Sequence, residues 1–273
     1  ILLRKGCVVG IPEHPFSCSL GTSNICDRLE NAVVQGFAKI ADGYGMAECG
    51  SLLPPATGVI SGHDPRNNNY FVNEIFLFHT AAGAAPTTDG WLTLTGMGSA
   101  GLCLLDSVEL DELRFPMIVY KQEIFQNSEG AGRRRGSPGA FVEFGPLGSK
   151  MKIAYASDGT HFPASGVRGG GNAAKADQYK IDQFGKKIKL KIVDEVELKE
   201  KERIVSITQP GGGYGPPHER ELDRVLKDVL EGWITNKRAF DIYGVKIDSK
   251  GKINLKATNA QRKKLKKNLK KKN

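Results

Sequence analysis

The residues 211–215, Gly-Gly-Gly-Tyr-Gly, lead through Pro216 and Pro217 into a charged amphipathic stretch. Backbone N–H groups of such a loop, held at a helix N-terminus, can cradle an anion, so Gly211, Gly212, Gly213 and Gly215 are the candidate anion- or substrate-binding positions. The Walker pattern is absent because no Lys-Ser or Lys-Thr follows, and the Rossmann spacing is absent too. On physical grounds alone a second role competes and is favoured: a tight turn that lets the next helix pack closely, with Tyr214 as a packing residue.

Arg133, Arg134 and Arg135 form the second candidate group, in a glycine-rich loop after Glu129. Guanidinium groups bind phosphate or carboxylate through paired hydrogen bonds. The competing expectation is a surface turn with one arginine paired to Glu129 or Glu143. Glu109, Asp111 and Glu112 read as a capped turn with a salt bridge to Arg114 rather than a catalytic acid pair. Of the five histidines, His14, His63, His79, His161 and His218, no two have metal-ligand spacing. His161 lies in a loop of small residues that could face a cavity, although each histidine reads first as structural or exposed rather than catalytic. It joins Arg133 and Arg135 as a candidate catalytic residue, and no residue is assigned to metal. The five cysteines, Cys7, Cys18, Cys26, Cys49 and Cys103, include no CxxC pair and read as reduced, partly buried thiols.

These groups need elements to hold them. The stretch 22–40 has helical periodicity in Ile25, Leu29, Ala32, Val33, Phe37 and Ile40, with Thr22, Ser23 and Asn24 as capping oxygens. From 44 to 125, short apolar runs separated by Pro, Asn-rich and Asp-Gly turns read as strands, Phe71–Phe78 the clearest. Ser107–Leu113 is a helical turn ended by Arg114-Phe115-Pro116, and Met117–Phe125 is a strand. Strands are expected at Ala140–Phe144, Met151–Ala156, within Tyr179–Val196 and at Arg203–Thr208. After the glycine cluster, Leu222, Val225, Leu226, Val229 and Leu230 give an apolar helix face. Arg220, Arg224 and Lys227, with Glu219, Glu221, Asp223 and Asp228, give a solvated one. Gly232 stops this helix, and Thr235 caps a second containing Ala239, Phe240 and Ile242. The fold class is therefore α+β: a strand-rich mixed core, an N-terminal helix, a C-terminal helical hairpin and a basic helical tail.

Charge is unevenly placed. Lys and Arg number 39 against 30 Asp and Glu, a net +9. All of the excess sits between Lys256 and Asn273, where there is no acidic residue. Ala257, Gln261, Leu265 and Leu269 recur every fourth residue there, a narrow stripe on a lysine-rich helix. This tail is expected to dock on an acidic partner subunit. Nucleic acid is the weaker expectation, since no aromatic residue interleaves the lysines to stack bases. No apolar run approaches the ~18 residues of a membrane span, and no signal peptide is evident. The chain starts Ile-Leu-Leu-Arg without a methionine, and so reads as a processed or trimmed piece of something longer.

Taken in order, SVELDELRFPMIV, SEGAGRRRGSPGA, TQPGGGYG and PPHERELDRVLKDVLEGWITNKRAFDIYGV resemble the B-type subunit of the hydantoinase/oxoprolinase family. The resemblance runs over residues 1–247, leaving 248–273 as the tail. It implies a multi-subunit, ATP-dependent enzyme that activates a carbonyl or enol oxygen by phosphorylation. Two branches share this chemistry. N-methylhydantoinases, 5-oxoprolinases and caprolactamase open amides, whereas acetone and acetophenone carboxylases add bicarbonate to ketones. The metal-binding "NDPYxGGTHxPD"-like segment of the family's N-terminal half has no counterpart here. The chain therefore resembles the C-terminal half, and the metal is expected on another chain.

The stretch from Trp91 to Gly101 departs from the hydantoinase pattern and tilts the expectation towards ketone carboxylation through a phosphorylated enol. Cyclic-amide hydrolysis is the alternative, and a non-catalytic assembly module the third reading. The resemblance further implies an A-type ATPase subunit, a chain carrying the metal-binding half and, in the carboxylase branch, a small zinc-type subunit. The complex would use ATP, Mg or Mn and a divalent metal in the cytoplasm. The isolated chain is expected to bind no cofactor and to be inactive.

Overall fold

The computed structural model describes residues 2–6, 10, 11, 13, 14, 25–79, 81–92, 94 and 104–270. Cys7, Cys18 and Cys103, the proposed caps Thr22, Ser23 and Asn24, and most of 93–101 lie outside this set, as does the side chain of Leu269.

Among the described residues nine strands form two antiparallel sheets. The first has the order β2-β1-β5-β8, from Val59–His63 (β1), Tyr70–Glu74 (β2), Met151–Ala156 (β5) and Val193–Leu198 (β8). The second has the order β3-β4-β9-β6-β7, from Met117–Ile124 (β3), Ala140–Pro146 (β4), Asp177–Ile181 (β6), Lys187–Lys189 (β7) and Arg203–Ile207 (β9). Alternation sorts the side chains. Met151, Ile153 and Tyr155 of β5 point inward and meet Val142 and Phe144 of β4 in one shared core with Ile60, Leu198 and Ile204. The outward Lys150 and Lys152 pair across the strands with Glu197 and Glu195. The segment read as strands within 179–196 crosses between sheets, giving β6 and β7 to one and β8 to the other.

The strand expected over Phe71–Phe78 ends at Glu74. Ile75 and Leu77 then donate their amides to the carbonyls of Gly58 and Ala56 and bury their side chains in the shared core, with Phe78. Burial on both sides of this segment replaces the alternation that a sheet strand needs.

Among the described residues the α-helices are Cys26–Ala38 (α1), Val108–Arg114 (α2), Leu222–Leu230 (α3), Asn236–Asp241 (α4) and Leu255–Lys270 (α5). Ser107 caps α2 and Thr235 caps α4 through side-chain oxygens that accept from Leu110 and Arg238 amides. Gly232, at φ +74°, ends the α3 turn as expected. The hairpin of α3 and α4 has its own small core of Val225, Ile234, Ala239, Tyr243 and Val245.

Two helices pack in ways that periodicity alone does not give. The apolar periodicity of α1 faces outward, because its inner side is polar: Asn31 accepts from the Cys49 amide, and Arg28 donates to Glu48 and to the Gly50 carbonyl. In the tail, Gln261 and Leu265 of the stripe meet the chain's own hairpin at the Phe240 carbonyl and at Gly244, instead of standing free for a partner. Among the described residues no helix is long and apolar enough to cross a membrane.

Candidate functional site

Three loops converge beside the α3–α4 hairpin: 126–139 between β3 and β4, 161–176 before β6, and 208–216 after β9. Their glycines let backbone lie on backbone. A Cβ at Gly211 would overlap the Ala82 carbonyl, at Gly212 that of Ser165, and at Gly213 that of Ala131. Loop carbonyls take up the amides that an anion would need. Gly211 donates to Ser137, Gly212 to Glu48, Gly213 to Gly171 and Gly215 to Val167, at 2.8–3.1 Å. The tight-turn role therefore describes this loop, and none of these four amides is left to receive an anion. Tyr214 is fully buried, and its hydroxyl donates to the Tyr44 carbonyl.

The arginine loop is built differently from the expected surface turn. Arg133 reaches Asp42 at 2.8 Å and Arg134 reaches Glu221 at 3.0 Å. Arg135 turns inward to Asp228 at 3.0 Å, its guanidinium 4.2 Å from the Trp233 ring centroid. The anticipated acceptors are taken by others: Glu129 by Arg238 at 2.7 Å, and Glu143 by Arg203. The three side chains diverge, Arg133 to Asp42, Arg134 to Glu221 and Arg135 into the interior.

At the centre lies Arg220, 1% exposed. It makes a paired contact with Asp89 at 2.6 and 2.9 Å, and meets Asp228 at 2.9 Å. Arg224 reaches Asp89 from outside at 3.2 Å, and the Arg135 amide donates to Asp89. Burial opposes the Asp89 carboxylate, but the hydrogen bonds and charge of Arg220 outweigh it and hold its pKa below the usual value. The same contacts raise the pKa of Arg220 against its own burial. Arg220 and Asp228 had read as part of a solvated face. Asp228 instead follows the buried Val225 by one helical turn, which was the available sign that it points inward.

A second buried group adjoins the first. Glu129 accepts from Arg238 at 2.7 Å and from the Tyr243 hydroxyl at 2.8 Å. Burial raises the Glu129 pKa, with Arg238 and Tyr243 pulling the other way. From α5, Arg262 donates to the carbonyls of Tyr243 and Arg220, tying the basic helix to both clusters.

Next to these groups a cleft of about 660 Å³ opens between the 169–172 loop, the turn at Pro217–His218, α4 and α5. His218, Arg238, Asp241 and Asn172 supply its polar lining, and Ile242 and Leu265 its apolar part. Burial lowers the His218 pKa, helped by the charges of Arg262 and Lys266 and opposed by Glu219. The shift favours the neutral imidazole, which can donate or accept a hydrogen bond. The arrangement provides for binding and positioning. It holds no paired nucleophile and base.

Of the sequence candidates, Arg133 and Arg135 sit on the flanks of the ionic groups and do not line the cleft. His161 ends a short turn after Asp158–Thr160 and is exposed, with its ring against Phe162 rather than in a cavity. Asp111 is buried without a salt bridge to Arg114, and burial pushes its carboxyl up to about 6, with the Asp106 charge adding to the effect. Cys49 is a buried thiol pushed up to about 11 by burial, which leaves it protonated and unreactive. Among the described residues no three of His, Cys, Asp and Glu gather to hold a metal, and the carboxylates of Asp89 and Asp228 are occupied by guanidinium groups. These carboxylates therefore offer no free ligands to the metal that the resemblance implies.

Comparison with known proteins agrees with the motif order. The model of the hydantoinase B/oxoprolinase family matches residues 1–217. The beta subunit of the caprolactamase of Pseudomonas jessenii is 31% identical over 219 residues, 76% of this chain and 37% of that one. A 5-oxoprolinase of Dictyostelium discoideum is 27% identical over 111 residues, 41% of this chain and 9% of that one. The chain thus spans well under half the length of these relatives. The crystal structure of the ATP-dependent caprolactamase superposes with a TM-score of 0.66 at 29% identity, over 77% of this chain and 38% of that chain. Nucleotide-free acetone carboxylase superposes with a TM-score of 0.67 over 88% of this chain and 35% of that chain. At 18% identity, that second likeness speaks for the fold alone.

Proposed function

Because the chain belongs to the hydantoinase B/oxoprolinase family, we propose that it is the positioning half of a B-type subunit in a multi-subunit, ATP-dependent enzyme that opens cyclic amides. The observation that carries this reading is the 31% identity to the beta subunit of a caprolactamase across 76% of the chain. The ionic groups around Arg220 and Glu129 support a positioning role, since each carboxylate is held by a guanidinium of the same chain and the pairs lock three loops and a hairpin together. An A-type ATPase subunit would form the phosphorylated intermediate. A body carrying the metal-binding half would supply the divalent metal, and the site of action would be the cytoplasm.

Ketone carboxylation, with its additional small zinc-type subunit, is the second reading. The likeness that favours it is one of fold, and most of the 91–101 stretch on which the sequence argument leaned lies outside the described residues. The lysine-rich face of α5 is proposed to meet an acidic surface of a partner subunit.

Reconstitution tests both readings. The chain, an A-type ATPase subunit and a metal-binding half from the same organism are combined with ATP. They are offered either a panel of lactams, 5-oxoproline and hydantoins, or acetone and acetophenone with labelled bicarbonate. Amide-dependent phosphate release with ring opening is expected, while the chain alone turns over neither set. Label fixed into a ketone, with no amide opened, would replace the first reading by the second. Turnover by the isolated chain would sink the positioning role.

A further inference from the structure

The polarity of α1 is reversed for a helix on the surface of a finished protein. Asp27 and Asn31 are buried. Asn31 accepts from the Cys49 amide, and Arg28 bonds Glu48 and the Gly50 carbonyl. The outward side carries Leu29, Val33 and Phe37, exposed by 47%, 50% and 51%, and Ile40, in the turn just past the helix end, adds a fourth apolar side chain exposed by 69%. Ala32 and Gly36 fill the column between them, so it contains no charge. A surface helix ordinarily turns such a column inward, because exposed apolar area costs free energy in proportion to its size. A contiguous apolar face of this kind marks an interaction site.

We propose that this face of α1 is the seat of the metal-binding half of the B-type subunit. The assignment rests on the proposal that this half exists as a body packed against the present chain. The chain spans 37% of the caprolactamase beta subunit and 38% of the caprolactamase structure, so the larger part of such a protein must find a surface here. A charge-free aliphatic and aromatic column matches the core-like interfaces of permanent assemblies. The lysine face of α5 does not. A lipid surface is a poorer match, because membrane-lying helices set a basic polar side beside the apolar one, and here the polar side is sealed against residues 48–50.

The seat is also wired to the converging loops. Glu48 takes Arg28 from α1 at 3.1 Å, while its other carboxylate oxygen accepts from the Ser165 amide and its carbonyl from the Gly212 amide. A body docked on α1 is thereby held in register with the glycine-rich loops.

The test uses the full chain with a metal-binding half from the same organism, expressed as a separate chain. Val33→Glu and Phe37→Glu change exposed side chains, so circular dichroism melts should match the parent. Affinity for the half should fall at least tenfold, and Val33→Leu should retain it. Hydrogen exchange over residues 25–40 should slow in the parent complex and stay fast with the variants. Parent-like affinity in both charged variants overturns the assignment while leaving the functional reading intact. So does a parent chain that dimerises by itself and becomes monomeric on substitution, or one that binds anionic vesicles through this face. Failure of the parent chain to bind the half at all overturns the functional reading along with it.

Discussion

Arg220 and Asp228 stand eight residues apart, on either side of the first turns of α3, and their buried side chains meet at 2.9 Å. Asp228 also receives Arg135, and Arg220 also receives Asp89. Two carboxylates and two buried guanidinium groups therefore alternate through the join between the arginine loop, the 89–90 turn and the hairpin. A chain of this kind is costly to break, because removal of one member leaves a neighbour charged and unpaired in a low-dielectric setting.

Asp228→Ala is expected to destabilise the fold by about 3–5 kcal/mol, the usual range for breaking a buried ion pair. Glu221→Ala removes an exposed, solvent-screened partner of Arg134 and Arg224 and should change stability far less. Urea denaturation of both variants checks the contrast. Equal losses would mean that the buried chain contributes no more than a surface pair.

Gly213→Ala places a Cβ onto the Ala131 carbonyl, which belongs to another interlocked loop and cannot give way alone. A loss on the order of 3 kcal/mol or more is expected. Gly185→Ala meets nothing nearby and should show only the smaller penalty of its φ of +83°, roughly 1 kcal/mol. Differential scanning calorimetry of the two variants gives the ordering. If Gly213→Ala melts like the parent, close packing is not what this glycine provides.

Asp111 supplies a pH test. Burial raises its folded-state pKa to about 6, above the unfolded value. A carboxyl raised in this way contributes its stability below the unfolded pKa and loses it as pH rises through about 6. Asp111→Asn should therefore raise stability at pH 7 by on the order of 1–2 kcal/mol, with the gain shrinking to nothing below about pH 4. Thermal melts of parent and variant from pH 4 to pH 8 measure it. A gain that does not change with pH would place its origin elsewhere.

The basic helix calls for point changes rather than deletion. Arg262 holds the carbonyls of Tyr243 and Arg220, so removing residues 256–273 would also loosen the hairpin. Lys263→Glu with Lys264→Glu and Lys267→Glu leaves those contacts alone, since all three side chains are exposed. Folding should be unchanged. Assembly with a partner subunit should weaken, and its dependence on salt should flatten. Salt-dependent binding of duplex DNA by the parent chain, lost in this variant, would instead favour a nucleic acid as the partner of this face.

Features that depend on neighbours along the chain were legible in the residues alone. Alternation in Met151–Ala156, the Thr235 cap and the Gly232 stop are local patterns, and each appears where it was read. The ordered motifs placed the chain in its family, because motif order is itself a property of the sequence. The tertiary structure decided which side of each pattern is inside. In α1 the apolar column faces out, because Arg28 and Asn31 find backbone partners at residues 49 and 50 that hydrophobic periodicity does not reveal. In α3 a charged residue points inward because Arg135 and Arg220 arrive from elsewhere to neutralise it. The glycine cluster at 211–215 is settled in the same way. Its composition permits an anion cradle or a close-packed turn, and only the carbonyls brought up by residues 48, 137, 167 and 171 assign its amides to the turn. Burial of a charge is a property of pairs distant in sequence, and that is why it became visible only once the loops were in place.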